Sequence, residues 1–289
     1  MTALFALGTS LLWGLADFGG GLLTRRFPAL TVVVVSQAVA VVVLGAVVLT
    51  TGAFDEAGPR LWYAVAAGVV GPVAMLAFYK ALALGPMGVV SPLGSLGVVV
   101  PVGVGLLLGD RPGLLQFAGI AVAIVGVILA GGPELRGAPV QRQAVLLTLV
   151  AAFGFGAVMA LISEASTTVS GLFLALFVQR VTNLAVGGAA LMFSVRRGGH
   201  ALPADGGGLK AVAASLPALA FVGLADVAAN GTYAMAAQHG PVTVAAVLAS
   251  LYPVVTALAA RGVLKERLRA VQAAGAGLAL VGTVLLATG

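Results

Sequence analysis

The sequence predicts an all-α integral membrane protein whose ten transmembrane helices form two inverted five-helix repeats, residues 1–136 and 137–289. Three observations predict it. Hydrophobic residues make up 61% of the chain and charged residues 8%, with a mean hydropathy of +1.14, which leaves too little polar surface for a soluble domain of this length. The apolar residues fall into segments of roughly 20, the length a helix needs to cross a hydrocarbon core about 30 Å thick. One long stretch, finally, occurs twice.

The first copy of that stretch runs from Gly85-Pro86 through Asp110-Arg111, Gln116 and Gly119 to Gly126; the second runs from Gly240-Pro241 through Glu266-Arg267, Gln272 and Gly275 to Gly282. Counted from the acid, Gln, the first Gly and the second Gly fall at the same distances in both copies, so each reads as a helical hairpin with an acid-Arg turn. Weaker matches extend the repeat over nearly the whole chain: Trp13-Gly14 falls against Phe155-Gly156, Gln37 against Gln179 and Gly45 against Gly187. A period this long means two like halves. A membrane repeat with an odd number of helices enters the bilayer inverted relative to its twin, a plan common among secondary transporters.

Taken in order, the spans are expected near 4–23, 29–50, 61–83, 87–108, 114–131, 143–163, 170–193, 211–237, 242–263 and 270–287. Span 1 has no Lys or Arg before it, contains Trp13 and Asp17 and is too long an apolar run for a cleavable signal peptide, so it is expected to stay in the mature protein. Ser10, Trp13, Asp17, Gly20 or Gly21 and Thr24 recur at steps of three or four, on one helical face. Span 2 is Val-rich, with Ser36 and Gln37 its interior polar groups, and reads mainly as lipid-facing packing. Span 3 carries Gly68, Gly71-Pro72, Tyr79 and Lys80, the last near enough to the end to snorkel. Span 4 offers Ser91-Pro92 and Ser95; in span 5, Gly119 and Gly126 suit close helix contacts.

Charges enter the membrane in the second half. Glu164, at the end of span 6, reads as interfacial. Span 7 holds Gln179, Arg180 and Asn183 near its middle, and span 8 holds Asp226, Asn230 and Tyr233 at i, i+4 and i+7. An ionised side chain at the bilayer centre costs about 2.5–3.5 kcal/mol on the insertion scale, so it faces a cavity or a partner. Arg180 and Asp226 have opposite signs and similar depth, which makes them an expected pair. The bland reading is an ion pair that only fixes how spans 7 and 8 pack. The functional reading is the lining of a solute pathway, because polar stripes on spans 1, 7 and 8 converge at mid-membrane depth. Pro92, Pro101 and Pro253 are expected to kink spans 4 and 9 and free carbonyls to line that space.

Other classes recede. The chain has no cysteine, hence no disulfide, thiolate metal site or nucleophilic thiol. It carries no HExxH, no GxSxG and no Lys-Ser/Thr phosphate loop, and His200 and His239 fall in expected loops, so neither a metal, a cofactor nor enzyme catalysis is expected. A pI near 10.3 would suggest nucleic acid in a soluble protein. Here the cations sit in short loops, where the topology rule explains them and no nucleic-acid partner is needed. Their distribution places both termini outside, a bias that comes mostly from the second half.

Trp13-Gly14, the two Gly-Pro pairs at the starts of spans 4 and 9, and the two turns from Asp110 and Glu266 together resemble the EamA family of the drug/metabolite transporter superfamily, over almost the whole chain. Asp110 stands where the family pattern usually has Glu, and Phe155 where it usually has Trp. The resemblance implies a basket of ten helices around a central cavity and export of amino acids, other small metabolites or drugs.

The expected function is therefore a secondary transporter or facilitator that exports a small-molecule substrate by alternating access at a mid-membrane cavity between the repeats, in a plasma membrane as a multi-pass protein. Asp17, Arg180 and Asp226 are the expected anchors, with Trp13, Tyr79, Gln179, Asn183, Asn230 and Tyr233 shaping the site. Arg180 together with an acid suits a zwitterion such as an amino acid, each charge meeting its opposite. Protons are a candidate co-substrate through Asp17, the acid without an obvious partner. The rival is a non-transport membrane protein, an embedded enzyme or a scaffold, whose buried charges are structural. Substrate identity, coupling and oligomeric state stay open at this point.

Overall fold

The computed structural model describes residues 1–98, 100, 113–131, 141–165, 168–202, 208–239, 248–249, 251–265 and 270–288. Ten α-helices run through them: α1 (Thr2–Thr24), α2 (Ala29–Thr51), α3 (Leu61–Leu84), α4 (Met87–Gly94), α5 (Leu114–Gly131), α6 (Arg142–Ala165), α7 (Val169–Arg196), α8 (Gly208–Gln238), α9 (Tyr252–Leu264) and α10 (Ala270–Thr288). Among the described residues there is no strand. Six helices, α1, α2, α3, α6, α7 and α8, contain segments long and apolar enough to cross a membrane, and four shorter apolar segments lie in α4, α5, α9 and α10.

The helix ends follow local chemistry. Gly52, at φ 68°, caps α2 in the left-handed region that glycine enters without penalty. Pro86, immediately before α4, has the extended backbone of a helix entrance. Thr168 caps α7 by accepting a hydrogen bond from the Gly171 N–H at 3.1 Å.

Spans 4 and 9 change form next to Pro92 and Pro253. Span 4 is α-helical over Met87–Gly94 and tightens into a 3₁₀ turn over Ser95–Val98, in the turn after Pro92; Val100 is helical again, and residues 99 and 101–108 lie outside the described residues. Pro253 lies in the first turn of α9, where its missing N–H has no intrahelical acceptor to satisfy; residues 248–249 before it are helical and Leu251 is in a turn, so within the expected span Pro253 stands at a break between helical segments. Pro101, Gly240-Pro241, the acid-Arg turns at Asp110 and Glu266, and the expected repeat boundary at 136/137 lie outside the described residues.

The most extensive packing runs between the two halves. α5 lies on α10, α3 on α6 and α7, α1 on α8 and α9, α2 on α7 and α8, and α4 on α6 and α9. If each helix of the first five is exchanged for its counterpart in the second, these neighbours map onto one another: α1·α8 onto α6·α3, α2·α8 onto α7·α3 and α1·α9 onto α6·α4, while α5·α10, α2·α7 and α4·α9 map onto themselves. The core is thus made by the repeats together. Its contacts depend on glycines: a Cβ on Gly126 would run into the Ala279 backbone, one on Gly223 into the Ser36 carbonyl, and one on Gly14 into Val255 and the Tyr252 carbonyl. Small residues at such crossings let helix backbones approach closely, the characteristic packing of helices in lipid. Large apolar side chains, among them Leu4, Leu11, Val42, Leu49, Val73 and Phe153, point outward, as lipid-facing residues do.

Candidate functional site

Arg180 and Asp226 meet. Arg180 Nη2 lies 2.7 Å from Asp226 Oδ2, joining α7 to α8 at mid-helix, as their opposite signs and similar depth lead one to expect. The guanidinium also donates from Nη1 to Gln37 Oε1 at 3.0 Å, and Asn183 donates from Nδ2 to the same oxygen at 3.2 Å. Gln37 is 1% exposed. α2 therefore does more than pack against lipid. One face, Val32, Val33, Ser36, Gln37, Ala40, Leu44 and Val48, is buried, and its single amide oxygen binds two donors of α7. Sequence reading missed Gln37 as a site residue, although its alignment with Gln179 in the repeat was a usable signal.

On α8, Asn230 donates from Nδ2 to the Asp226 carbonyl at 2.7 Å and lies 3.4 Å from Asp226 Oδ1, which holds the carboxylate toward Arg180. Asn183 fits because Gly71 on α3 has no side chain: a Cβ there would stand 2.5 Å from Asn183 Oδ1. Arg180 Nε, Asn183 Oδ1 and Gln179 Oε1 are buried without a hydrogen-bond partner. Gln179 shares the depth of the cluster, and no hydrogen bond ties its side chain to it.

α1 contributes the second part. Asp17 is surrounded by protein yet keeps partial exposure, the combination expected of a side chain that lines an internal space. It lies within electrostatic reach of Asp226, and Tyr79 lies within reach of Asp17, Asp226 and Arg180. Among the described residues no cation pairs with Asp17. Tyr79 is buried against α1, where a Cβ on Gly20 would be 2.5 Å from its ring, and its carbonyl accepts from Thr24 Oγ1 at 3.1 Å.

Trp13 stands one turn before Asp17 on α1, its ring centroid 6.1 Å from those of both Tyr233 and Tyr252. Tyr252, on α9, is also within electrostatic reach of Asp17 and was not among the expected site residues. Thr9 and Thr232 hydrogen-bond at 2.9 Å and tie α1 to α8 farther along the same face. Lys80 and Glu164 are exposed, as expected of end-of-span charges.

An apolar exterior around a buried set of charges at mid-helix defines a multi-pass helical membrane protein with a polar interior. The chain belongs to the EamA-like transporter family, whose family model matches residues 1–132 and 142–288, one match in each half. This agrees with a transporter of the drug/metabolite superfamily. Fourteen chains of solved structures match. One, described only as "Crystal structure of protein", is 17% identical, with 99% of this chain and 96% of that chain covered at a TM-score of 0.53, a likeness of fold alone. No curated protein matches.

Proposed function

We propose that this protein is a secondary transporter or facilitator of the plasma membrane that exports small metabolites, amino-acid-like solutes first among them, by alternating access between two inverted repeats. One observation carries the reading: the polar cluster is shared by both halves. Asp17, Gln37 and Tyr79 come from the first, and Arg180, Asn183, Asp226 and Asn230 from the second. A rocking motion of one half against the other would therefore rearrange the cluster itself, the geometry alternating access requires.

Inversion is supported by the five helices of each half and by the exchange of neighbours between them. A scaffold needs charges that neutralise one another; Asp17, partly exposed and with no cation paired to it among the described residues, is poorly suited to that role and well suited to meeting a solute or a proton. The residue types present do not call for an enzyme.

Counterflow of a labelled amino-acid, amine and metabolite panel into proteoliposomes tests the proposal, comparing the unaltered protein with Asp226→Asn. Flux of one solute class that falls at least about tenfold in the variant is the expected result, since Asp226→Asn strands the Arg180 charge at mid-membrane depth. No flux of any solute from folded protein, or full flux in Asp226→Asn, would contradict it.

A further inference from the structure

We propose that the solute carries an organic ammonium group, seated at the Asp17 carboxylate and flanked by the rings of Trp13, Tyr233 and Tyr252. This rests on the transport reading above and narrows its substrate class. Charge argues first. The cluster holds two carboxylates, Asp17 and Asp226, and one guanidinium, Arg180. Arg180 is already engaged by Asp226 at 2.7 Å and by Gln37 at 3.0 Å. Among the described residues no cation pairs with Asp17, so once ionised at this depth it requires a partner from outside the cluster, and a monocation completes the site's charge.

Shape argues second. Trp13 and Asp17 lie one turn apart on the same face of α1. The Trp13 ring is 6.1 Å from Tyr233 on α8 at an interplanar angle of 33°, and 6.1 Å from Tyr252 on α9 at 74°. All four side chains keep intermediate exposure, so none is sealed into the core. Three rings from three helices, one of them a single turn from Asp17 on the same helix face, form a setting in which an ammonium gains from both the carboxylate and the aromatic quadrupoles, which attract a cation within about 6 Å of a ring centroid.

A solute carboxylate fares worse, because it would compete with Asp226 for Arg180 while facing Asp17. The recognised class is thus amines, primary to quaternary, with zwitterions accepted through their ammonium end and carboxylates lacking an amine rejected.

Trp13 is its own reporter. The chain has two tryptophans, and Trp62, at the start of α3, is 75% exposed and remote from the cluster. Purified Trp62→Phe protein is titrated with phenethylamine, phenylalanine and 3-phenylpropionate while Trp13 emission is followed. The two amines should perturb the emission saturably, and phenylpropionate should do so about tenfold more weakly or not at all. Asp17→Asn should abolish the preference, and Asp17→Glu, which keeps the charge, should preserve the order. The proposal is overturned if phenylpropionate binds as well as the amines, if Asp17→Asn keeps the preference, or if no amine gives a saturable change in the millimolar range with folded protein. Counterflow without ammonium preference would sink this inference and leave transport standing; preferential amine binding without flux in vesicles would do the reverse.

Discussion

Gln37 Oε1 accepts hydrogen bonds from Arg180 and Asn183 together, so one neutral atom orients the guanidinium of the buried cluster. Gln37→Leu removes that acceptor while leaving both donors in place. In water a stranded buried donor costs about 1–3 kcal/mol. Between membrane helices a hydrogen bond averages about 0.6 kcal/mol, because the separated helices also find partners. Two lost bonds therefore predict a destabilisation of about 1 kcal/mol, read as a lower unfolding temperature in detergent, whereas Val42→Ala on the exposed side of the same helix should produce no comparable drop. Solute flux should fall more steeply than stability, since Arg180 loses its orientation. At this scale the charges were legible and their neutral partners were not. A lone Asp or Arg in an apolar span announces itself through its desolvation cost, and Arg180 and Asp226 stood out for that reason. A glutamine among valines is equally compatible with packing, and only the neighbouring helix reveals what its amide holds. Tyr252 was overlooked on the same grounds: an aromatic ring in a membrane span has many uses, and only the rings around it select one.

The helices approach one another through glycines, and the consequences differ by site. A Cβ on Gly223 of α8 would meet the Ser36 backbone carbonyl of α2, which cannot rotate away. One on Gly71 of α3 would meet the Asn183 amide, the end of a side chain. One on Gly188 of α7 would meet nothing within 4 Å. Gly223→Ala is thus predicted to lose about 1–3 kcal/mol through overpacking, Gly71→Ala less than that, and Gly188→Ala nothing, with a gain of up to about 1 kcal/mol from helix propensity. Thermal unfolding of the three variants in one detergent checks the ranking. The positions of these helices could be read from apolar run length, and the duplicated glycine spacing pointed to close contacts. What the sequence left open was the form of the interruptions at Pro92 and Pro253. Pro92 and Pro253 look alike in a string, yet one lies inside a helix next to a 3₁₀ turn and the other opens a helix, because the difference depends on where the preceding turn begins.

The whole molecule is built between its halves, as the exchange of helix neighbours shows. Inversion makes a geometric prediction that a chain without cysteine is well placed to test. Gly58, between α2 and α3, and His200, between α7 and α8, occupy equivalent loops of the two repeats and are both exposed. Single variants Gly58→Cys and His200→Cys should react with an impermeant maleimide from opposite sides of the membrane; reaction from the same side would mean that the repeats are parallel.

Alternating access makes the sharpest demand, that the cluster itself be reached from each side in turn. The most direct measurement is the rate at which Asn230→Cys, one turn from Asp226, reacts with a small impermeant thiol reagent applied to either face of oriented vesicles. The account predicts reaction from both faces, slowed from both by a transported amine. A thiol that stays inert, or that reacts from one face only whatever solute is present, would contradict it and leave the buried charges as structural.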